Sequence, residues 1–255
     1  MELGLRVSLG VEYKSPSQVA RVLTEDWAVR NLYCPACPSD SLTPSPTNTR
    51  AIDLSCPECK QPFQLKSGRG WNQTRIVDAA YESMLAAVRS DRVPNLVTIQ
   101  YTSGWKVWNA LLVPSLFFTE TVIEKRKPLS AAARRAGWIG CNILLKRIPT
   151  DGKLRLVTDG VVASANRIRD QFDRIRPLSK LPVGLRGWTL DVLNAVRQIQ
   201  KQEFTLAEVY AFETQLAAAH PGNRHVREKI RQQLQRLRDL RFLQFVSPSH
   251  YCVSR

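Results

Sequence analysis

Residues 53–66 read DLSCPECKQPFQLK, a segment in which a pair of cysteines separates two runs of strand-like pattern. We predict short strands at residues 51–54 and 63–66 around a tight turn at 56–59. Side chains two apart in a strand share a face, so Gln64 and Lys66 point the same way. If the hairpin folds about the turn, Asp53 meets them. A carboxylate, an amide oxygen and a lysine at one edge are what metal-assisted phosphodiester hydrolysis requires.

Spacing alone leaves two interpretations of this hairpin. Asp, Gln and Lys are common residues, and a solvated strand edge is the default. In the hydrolytic interpretation, Asp53 and the Gln64 amide oxygen hold Mg²⁺, while Lys66 steadies the attacking hydroxide or the phosphate. No histidine precedes His220, which excludes a histidine-based nuclease or hydrolase site in the part of the chain before it. The chain also lacks a Walker-type glycine loop and a dinucleotide-binding glycine motif.

Four cysteines have the spacing of a zinc ribbon. The pairs Cys34-x-x-Cys37 and Cys56-x-x-Cys59 are 18 residues apart. Coincidence, or two disulfides in a secreted protein, is the alternative. The N-terminal residues lack the basic start and apolar stretch of a signal peptide, so we expect reduced cysteines. With all four corners filled by protein, the predicted zinc is structural. The two remaining cysteines, Cys141 and Cys252, are predicted to be buried apolar residues.

The charge balance favours a polyanionic partner. The chain has 255 residues with 37 Lys+Arg against 22 Asp+Glu, a net charge of +15. DNA, RNA or an anionic membrane surface would match this charge. The membrane interpretation is the weakest, because no apolar run approaches the roughly 18–20 residues that a spanning helix needs.

The order of elements predicts two domains. Helices that begin at Ser15 and Thr74, the first with a capping box, alternate with strands at 96–101, 105–113 and 154–157, which indicates a mixed α/β core. Residues 176–187 are rich in proline and glycine and are predicted to be a linker. Three helices starting at Thr189, Thr205 and Asn223, followed by a β-hairpin, indicate a winged helix.

The third of these helices is the candidate recognition helix. Its buried stripe of Val226, Ile230 and Leu234 leaves polar residues on the other faces. Arginine and glutamine are the usual partners of guanine and adenine, and early helix positions reach base edges. Phosphate contacts alone, or a winged helix that binds protein, remain alternatives. The candidate DNA-binding residues are Arg224, Arg227, Arg231 and Gln232.

Several blocks of sequence resemble the DpnI family of methyl-directed restriction endonucleases, in order and over nearly the whole chain. They are LTEDW at 23–27, YCPAC at 33–37, RRAGWIGCN at 134–142, RGWT at 186–189 and EKIRQQL at 228–234, together with Asp53 and Lys66. The resemblance implies a PD-(D/E)XK-type, restriction-endonuclease-like nuclease domain with a zinc-binding insertion over 1–183. A winged-helix DNA-binding domain over 184–255 follows. It also implies Mg²⁺-dependent type II cleavage of both strands at GATC sites that carry N6-methyladenine.

The resemblance assigns roles to single residues. Asp53 becomes the first metal ligand, the carbonyl of Leu65 a further ligand, and Lys66 the lysine of the motif. Gln64 departs from the pattern, because an acidic residue is expected there. Its amide oxygen is uncharged, which predicts weakened metal affinity. The departure favours the rival hypothesis of a non-catalytic zinc-ribbon and winged-helix regulator that reads methylated DNA. In either case we expect a monomeric, cytoplasmic protein of bacterial or archaeal origin, without a dimerising coil.

An N6-methyl group is apolar, so a dry, well-shaped surface must read it. Trp138 is our candidate, since glycine neighbours leave room for close approach of DNA. An ordinary core tryptophan is the alternative, and Trp71 and Trp105 are weaker candidates. A basic segment is predicted to contact the DNA phosphates. Its residues are Lys125, Arg126, Lys127, Arg134 and Arg135. Taken singly, each of them could instead be an ordinary solvated surface charge.

Overall fold

A computed structural model of the protein describes residues 1–46, 49, 51–70 and 72–254. Within them, the helices are α1 (Pro16–Asn31), α2 (Tyr81–Arg89), α3 (Ala165–Ile175), α4 (Val183–Ile199), α5 (Leu206–Tyr210), α6 (Glu213–Ala219) and α7 (Val226–Asp239). The strands are β1 (Thr43–Pro44), β2 (Leu54–Ser55), β3 (Pro62–Gly68), β4 (Ile76–Ala80), β5 (Asn95–Tyr101), β6 (Val107–Val113), β7 (Ile123–Lys125), β8 (Gly140–Ile143), β9 (Leu154–Thr158), β10 (Val161–Val162), β11 (Glu203–Thr205), β12 (Leu243–Ser247) and β13 (His250–Val253).

The chain forms two compact units that interleave in sequence. The first unit comprises residues 1–72, 93–115 and 152–176, and the second comprises 73–92, 116–151 and 177–255. Among the described residues, the first unit is built on a seven-stranded sheet in the order β1-β2-β3-β5-β6-β9-β10. Strands β3 and β5 are parallel, and the other neighbours are antiparallel. The predicted mixed α/β fold class is confirmed.

The centre of this sheet follows the sequence pattern closely. Strands β5, β6 and β9 occupy the three predicted ranges to within one or two residues, and nearly all their side chains are buried. Helix α1 contributes Leu23 and Trp27, both fully buried. The predicted capping box of α1 is wrong. Ser15 lies at the N-cap, but its hydroxyl shares a hydrogen bond with the Ser17 hydroxyl at 2.8 Å instead of accepting from the helix.

The second unit contains a three-stranded sheet, β4-β8-β7, with α2 packed on it. Here the predicted helix from Thr74 is wrong, since residues 76–80 form β4 and α2 begins at Tyr81. Val77, predicted to face inward, is 56% exposed. The β-branched pair Ile76 and Val77 suits a strand, and β8 supplies the antiparallel partner.

Of the three predicted C-terminal helices, one begins earlier than predicted, one begins as predicted and one begins later. Helix α4 starts directly after Pro182, so Gly184 lies inside it and the predicted linker is too long. Helix α5 begins as predicted, with Thr205 and Glu208 forming a complete capping box. Helix α7 begins at Val226; Asn223 does not cap it but accepts the backbone N–H of His225 at 2.7 Å.

Helices α4 and α7 pack together around a buried polar contact. The Thr189 hydroxyl donates to the Gln233 side-chain oxygen at 2.8 Å, and both residues are fully buried. The predicted apolar stripe of α7 is buried as well. Strands β11, β13 and β12 form an antiparallel sheet beside these helices, which completes the predicted winged-helix plan. None of the described helices is both long and apolar enough to span a membrane.

Candidate active site and DNA-binding surfaces

The four predicted ligand cysteines converge in the first unit. Their Sγ atoms all lie within 4.8 Å of one another, with Cys34 to Cys59 at 3.5 Å and Cys37 to Cys56 at 3.4 Å. A tetrahedral zinc site with Zn–S bonds of about 2.3 Å places its sulfurs about 3.8 Å apart. All four cysteines are free, and these separations exceed the roughly 2.05 Å of a disulfide bond. The cluster is compatible with structural zinc.

Local backbone favours the thiolate form at the second knuckle. Burial opposes ionisation, yet hydrogen bonds from the backbone N–H groups of Cys59 and Glu58 lower the pKa of Cys56 to about 6. Burial raises the pKa of Cys34, which lies deeper at the first knuckle. The donor set therefore contains soft sulfur ligands, at least one of which ionises readily, as zinc requires.

The first knuckle is also fixed by an arginine from α3. Arg169 donates to the carbonyl oxygens of Cys34 and Ser39 at 3.3 and 3.0 Å and pairs with Asp40 at 2.8 Å. Its guanidinium lies 5.3 Å from the centre of the Tyr33 ring. Arginine suits this role because its planar fork offers several donors at once. No motif in the sequence connects residue 169 with the cysteines.

The structure brings Asp53 to the strand that carries Gln64 and Lys66. The backbone N–H of Asp53 donates to the carbonyl of Phe63 at 2.9 Å, and an Asp53 carboxylate oxygen accepts the N–H of Leu65 at 2.6 Å. Leu65 lies between Gln64 and Lys66 on β3. Asp53 and these three residues of β3 are half-buried, which leaves the hairpin edge accessible.

A second carboxylate stands near this hairpin. Glu25 lies on α1, which packs against β3 and contacts it through the hydroxyls of Thr24 and Ser67 at 3.1 Å. Burial raises the pKa of Glu25, the negative charge of Asp53 raises it further, and Arg21 opposes both effects. No motif or spacing in the sequence points to Glu25. The one available signal is its place in the LTEDW block, where Leu23, Thr24 and Trp27 are buried and the two acids are half-buried.

Trp138 lies in the second unit and is half-buried, in the segment before β8. Its ring carbons would lie 2.7 Å from a Cβ added at Gly140, so the indole packs directly on that glycine. A Cβ added at Gly137 would meet nothing within 4 Å, and this glycine has a φ of +76°. The Arg135 guanidinium lies 4.6 Å from the centre of the Trp138 ring. The room at Gly140 is therefore taken by the tryptophan itself, while that at Gly137 stays open.

The other predicted methyl readers and the basic segment differ in their surroundings. Trp105, in the first unit, stacks on Tyr101 with ring centres 5.1 Å apart. Trp71 lies outside the described residues. Lys125 pairs loosely with Glu82 at 4.0 Å. Arg126 is half-buried. The other three basic residues of the segment are exposed: Lys127, Arg134 and Arg135.

All four predicted base-reading residues are exposed, three of them on α7 and one just before it. Arg227 is held by Glu213 at 2.8 Å and lies over the Tyr210 ring at 5.1 Å. Arg231 pairs weakly with Glu228 at 3.7 Å. Arg224 lies in the loop before the helix, and Gln232 in its middle. The structure thus presents a basic face on α7, in which Arg227 is oriented by its neighbours.

Both parts of the chain match models of known protein families. Residues 1–181 match the family model DpnI, the Dam-replacing family. Residues 184–252 match the model DpnI_C, the Dam-replacing HTH domain. Together the two matches cover nearly the whole chain. The matched residues include the cysteine cluster, the Asp53 hairpin and the basic face of α7. The chain therefore belongs to the DpnI family of methyl-directed restriction endonucleases.

Proposed function

We propose that the chain is a type II deoxyribonuclease that cleaves both strands of DNA at GATC sites containing N6-methyladenine. The observation that carries the proposal is the hydrogen bond from the Leu65 N–H to the Asp53 carboxylate at 2.6 Å. This bond fixes an acid beside the strand that presents Gln64 and Lys66, the pattern of a PD-(D/E)XK nuclease. Residues 1–183 would form the nuclease domain, and residues 184–255 would bind DNA.

The oxygen donors at the hairpin suit a hard divalent cation. The Asp53 carboxylate, the Gln64 amide oxygen and the Leu65 carbonyl would hold Mg²⁺. When bound, this ion supplies a more acidic water and offsets charge on the transition state. Lys66 would steady the attacking hydroxide or the scissile phosphate. The four cysteines would hold Zn²⁺, which stabilises the turn between Asp53 and β3.

Glu25 would restore part of the charge that Gln64 lacks. An amide oxygen binds Mg²⁺ without charge, so the site has one negative charge fewer than a pair of acids would give. Glu25 is close enough to Asp53 for the two charges to repel. A cation between them would convert this repulsion into attraction. We therefore include Glu25 in the proposed site as a further oxygen donor.

Digestion of plasmid DNA tests the proposed function. Adenine-methylated and unmethylated plasmids are incubated with the purified protein and Mg²⁺, with and without a chelator. We expect only the methylated plasmid to be cut, and only when Mg²⁺ is free. Equal cleavage of both plasmids would keep the nuclease and reject the methyl specificity.

Gln64→Glu should lower the Mg²⁺ concentration that gives half-maximal cleavage, by about tenfold or more. The reason is the added negative charge, since ligand charge is a main determinant of affinity for hard cations. The measurement is a Mg²⁺ titration of the cleavage rate. Gln18→Glu introduces the same charge on the exposed start of α1 and should leave the midpoint unchanged. An unchanged midpoint in Gln64→Glu would remove residue 64 from the metal site.

Trp138→Ala should reduce the preference for methylated over unmethylated DNA. Burial of one methyl group is worth about 0.8 kcal/mol, or about fourfold in affinity for each methyl group read. Gly140→Ala should reduce the preference too, because the new Cβ displaces the indole. The measurement is the ratio of binding constants for two otherwise identical duplexes. Trp108→Ala removes a partly exposed tryptophan elsewhere and should leave this ratio unchanged. If only this control lost the preference for methylated DNA, Trp108 and not Trp138 would be the residue that contacts the methyl group.

The second candidate function is a non-catalytic regulator that binds methylated DNA. Gln64 is the observation that favours it, because the neutral side chain weakens the proposed metal site. The plasmid experiment separates the two candidates. Retained binding of methylated DNA with no cleavage of either plasmid would support the regulator.

A further inference from the structure

A pocket of about 220 Å³ lies in the first unit, at the sheet edge formed by β9 and β10. Three cations line it, Lys153, Arg155 and Arg167, and Gln171 stands one helical turn after Arg167 on α3. None of the described residues that line the pocket is acidic. We call it the basic pocket.

The cations of the basic pocket have no counter-ion in the described part of the chain. Arg155 and Arg167 are exposed, while Lys153 is half-buried. Burial lowers the pKa of Lys153, and the positive charge of Arg155 lowers it further. A partly buried lysine beside a like charge is unfavourable unless an anion completes the group. A phosphate group has the size and charge for this role.

The sheet register relates this pocket to the proposed catalytic hairpin. Lys66 is paired with Thr98, Thr98 with Leu111, and Leu111 with Arg155. Paired residues on neighbouring strands project from the same face, so Arg155 and Lys66 are the two ends of one cross-strand row. The register of β6 with β9 shifts directly beside this row, between Ala110 and Leu111. Thr98 and Leu111 are buried, and a ligand could touch the row only at its ends.

The length of the row matches a spacing along DNA. Three interstrand steps of about 4.8 Å give about 14 Å. Duplex DNA rises about 3.4 Å per base pair, so this span corresponds to about four base pairs. We propose that the basic pocket binds a backbone phosphate of the DNA substrate outside the recognition sequence. The inference rests on the proposed nuclease function, which supplies the DNA.

The test combines protein variants with neutralised DNA. The double variant Arg155→Gln/Arg167→Gln is compared with Lys14→Gln/Arg174→Gln, which removes two exposed charges outside the pocket, one of them on α3. Binding is measured without Mg²⁺, on duplexes whose phosphates about three to seven base pairs from the cut are intact or replaced by neutral methylphosphonates.

We expect the pocket variant to bind intact duplex about three- to tenfold more weakly than wild type, with a salt slope smaller by about 0.9 for each phosphate that it no longer neutralises. Methylphosphonate substitution should weaken binding by wild type and by the control variant, but not by the pocket variant. Additive effects of the two changes, or equal binding by all proteins, would overturn the proposal. A pocket variant that binds DNA normally yet loses thermal stabilisation by inorganic phosphate would also overturn it, in favour of a free-phosphate site.

Failure of the nuclease proposal gives a different result. In that case no protein in the series cuts methylated plasmid with Mg²⁺, whatever the binding data show. Normal cleavage together with unchanged binding by the pocket variant rejects the basic pocket alone.

Discussion

Asp53→Asn should lose at least about a thousandfold in cleavage rate, a change of about 4 kcal/mol in activation free energy, while it binds methylated DNA as wild type does. The substitution keeps an oxygen that can accept the Leu65 N–H, so the hairpin geometry is retained. It removes the one charged ligand that the family resemblance assigns to the metal. The measurements are single-turnover cleavage and DNA affinity without Mg²⁺.

Two further variants make this result specific. Lys66→Gln should lose cleavage to a similar degree, because its ammonium would act on the attacking nucleophile or on the phosphate. Glu12→Gln removes an exposed acid in the same unit and should cut normally. Near-normal cleavage by Asp53→Asn would contradict the catalytic role. Weaker DNA binding together with an unchanged single-turnover cleavage rate would contradict it as well.

Cys56→Ser should lose its zinc, unfold at a lower temperature and lose cleavage. Zinc binding to small structural sites contributes about 10–16 kcal/mol near neutral pH, more than any single core contact. The knuckle at 56–59 joins Asp53 to β3, so its loosening separates the proposed metal ligands. The measurements are zinc content by native mass spectrometry, thermal unfolding and plasmid cleavage.

The matched control is Cys252→Ser, a half-buried cysteine outside the cluster. It should keep one zinc per chain, with only a small change in unfolding temperature. Retention of zinc by Cys56→Ser would show that residue 56 is not a ligand. Loss of zinc with undiminished cleavage would show that the knuckle does not support the active hairpin.

The elements predicted correctly are those whose pattern leaves one choice. Strands β5 and β6 are mainly apolar and are joined by a short turn, and such segments pair with each other wherever the rest of the chain lies. The turn of the Asp53 hairpin is equally local, since a knuckle of four residues brings its two sides together. The strand before the turn is β2 at Leu54–Ser55, so the predicted strand at 51–54 is wrong except at Leu54. The apolar stripe of α7, from Val226 to Leu237, repeats with helical period over about three turns.

The errors arise where a distant partner decides the structure. Residues 76–80 carry apolar side chains at helical spacing, yet β8, whose residues lie 60 to 67 positions later, pairs with them as a strand. The sequence pattern places Gly184 in a linker, but burial of the following residues of α4 outweighs the low helix propensity of glycine. Glu25 was missed for the same reason, because its closeness to Asp53 exists only after α1 packs on β3.

The clamp of Arg169 has a consequence for how the protein matures on the ribosome. Its guanidinium bonds to the carbonyl of Cys34 across 135 residues. The two cysteine knuckles can meet early in synthesis, but the first one gains its last donors only after α3 has left the exit tunnel. In a nascent chain the first knuckle would therefore lack these donors until more than two-thirds of the chain has been made, since α3 ends at residue 175 of 255. The proposed catalytic hairpin beside the cysteine cluster would then be completed only late in synthesis.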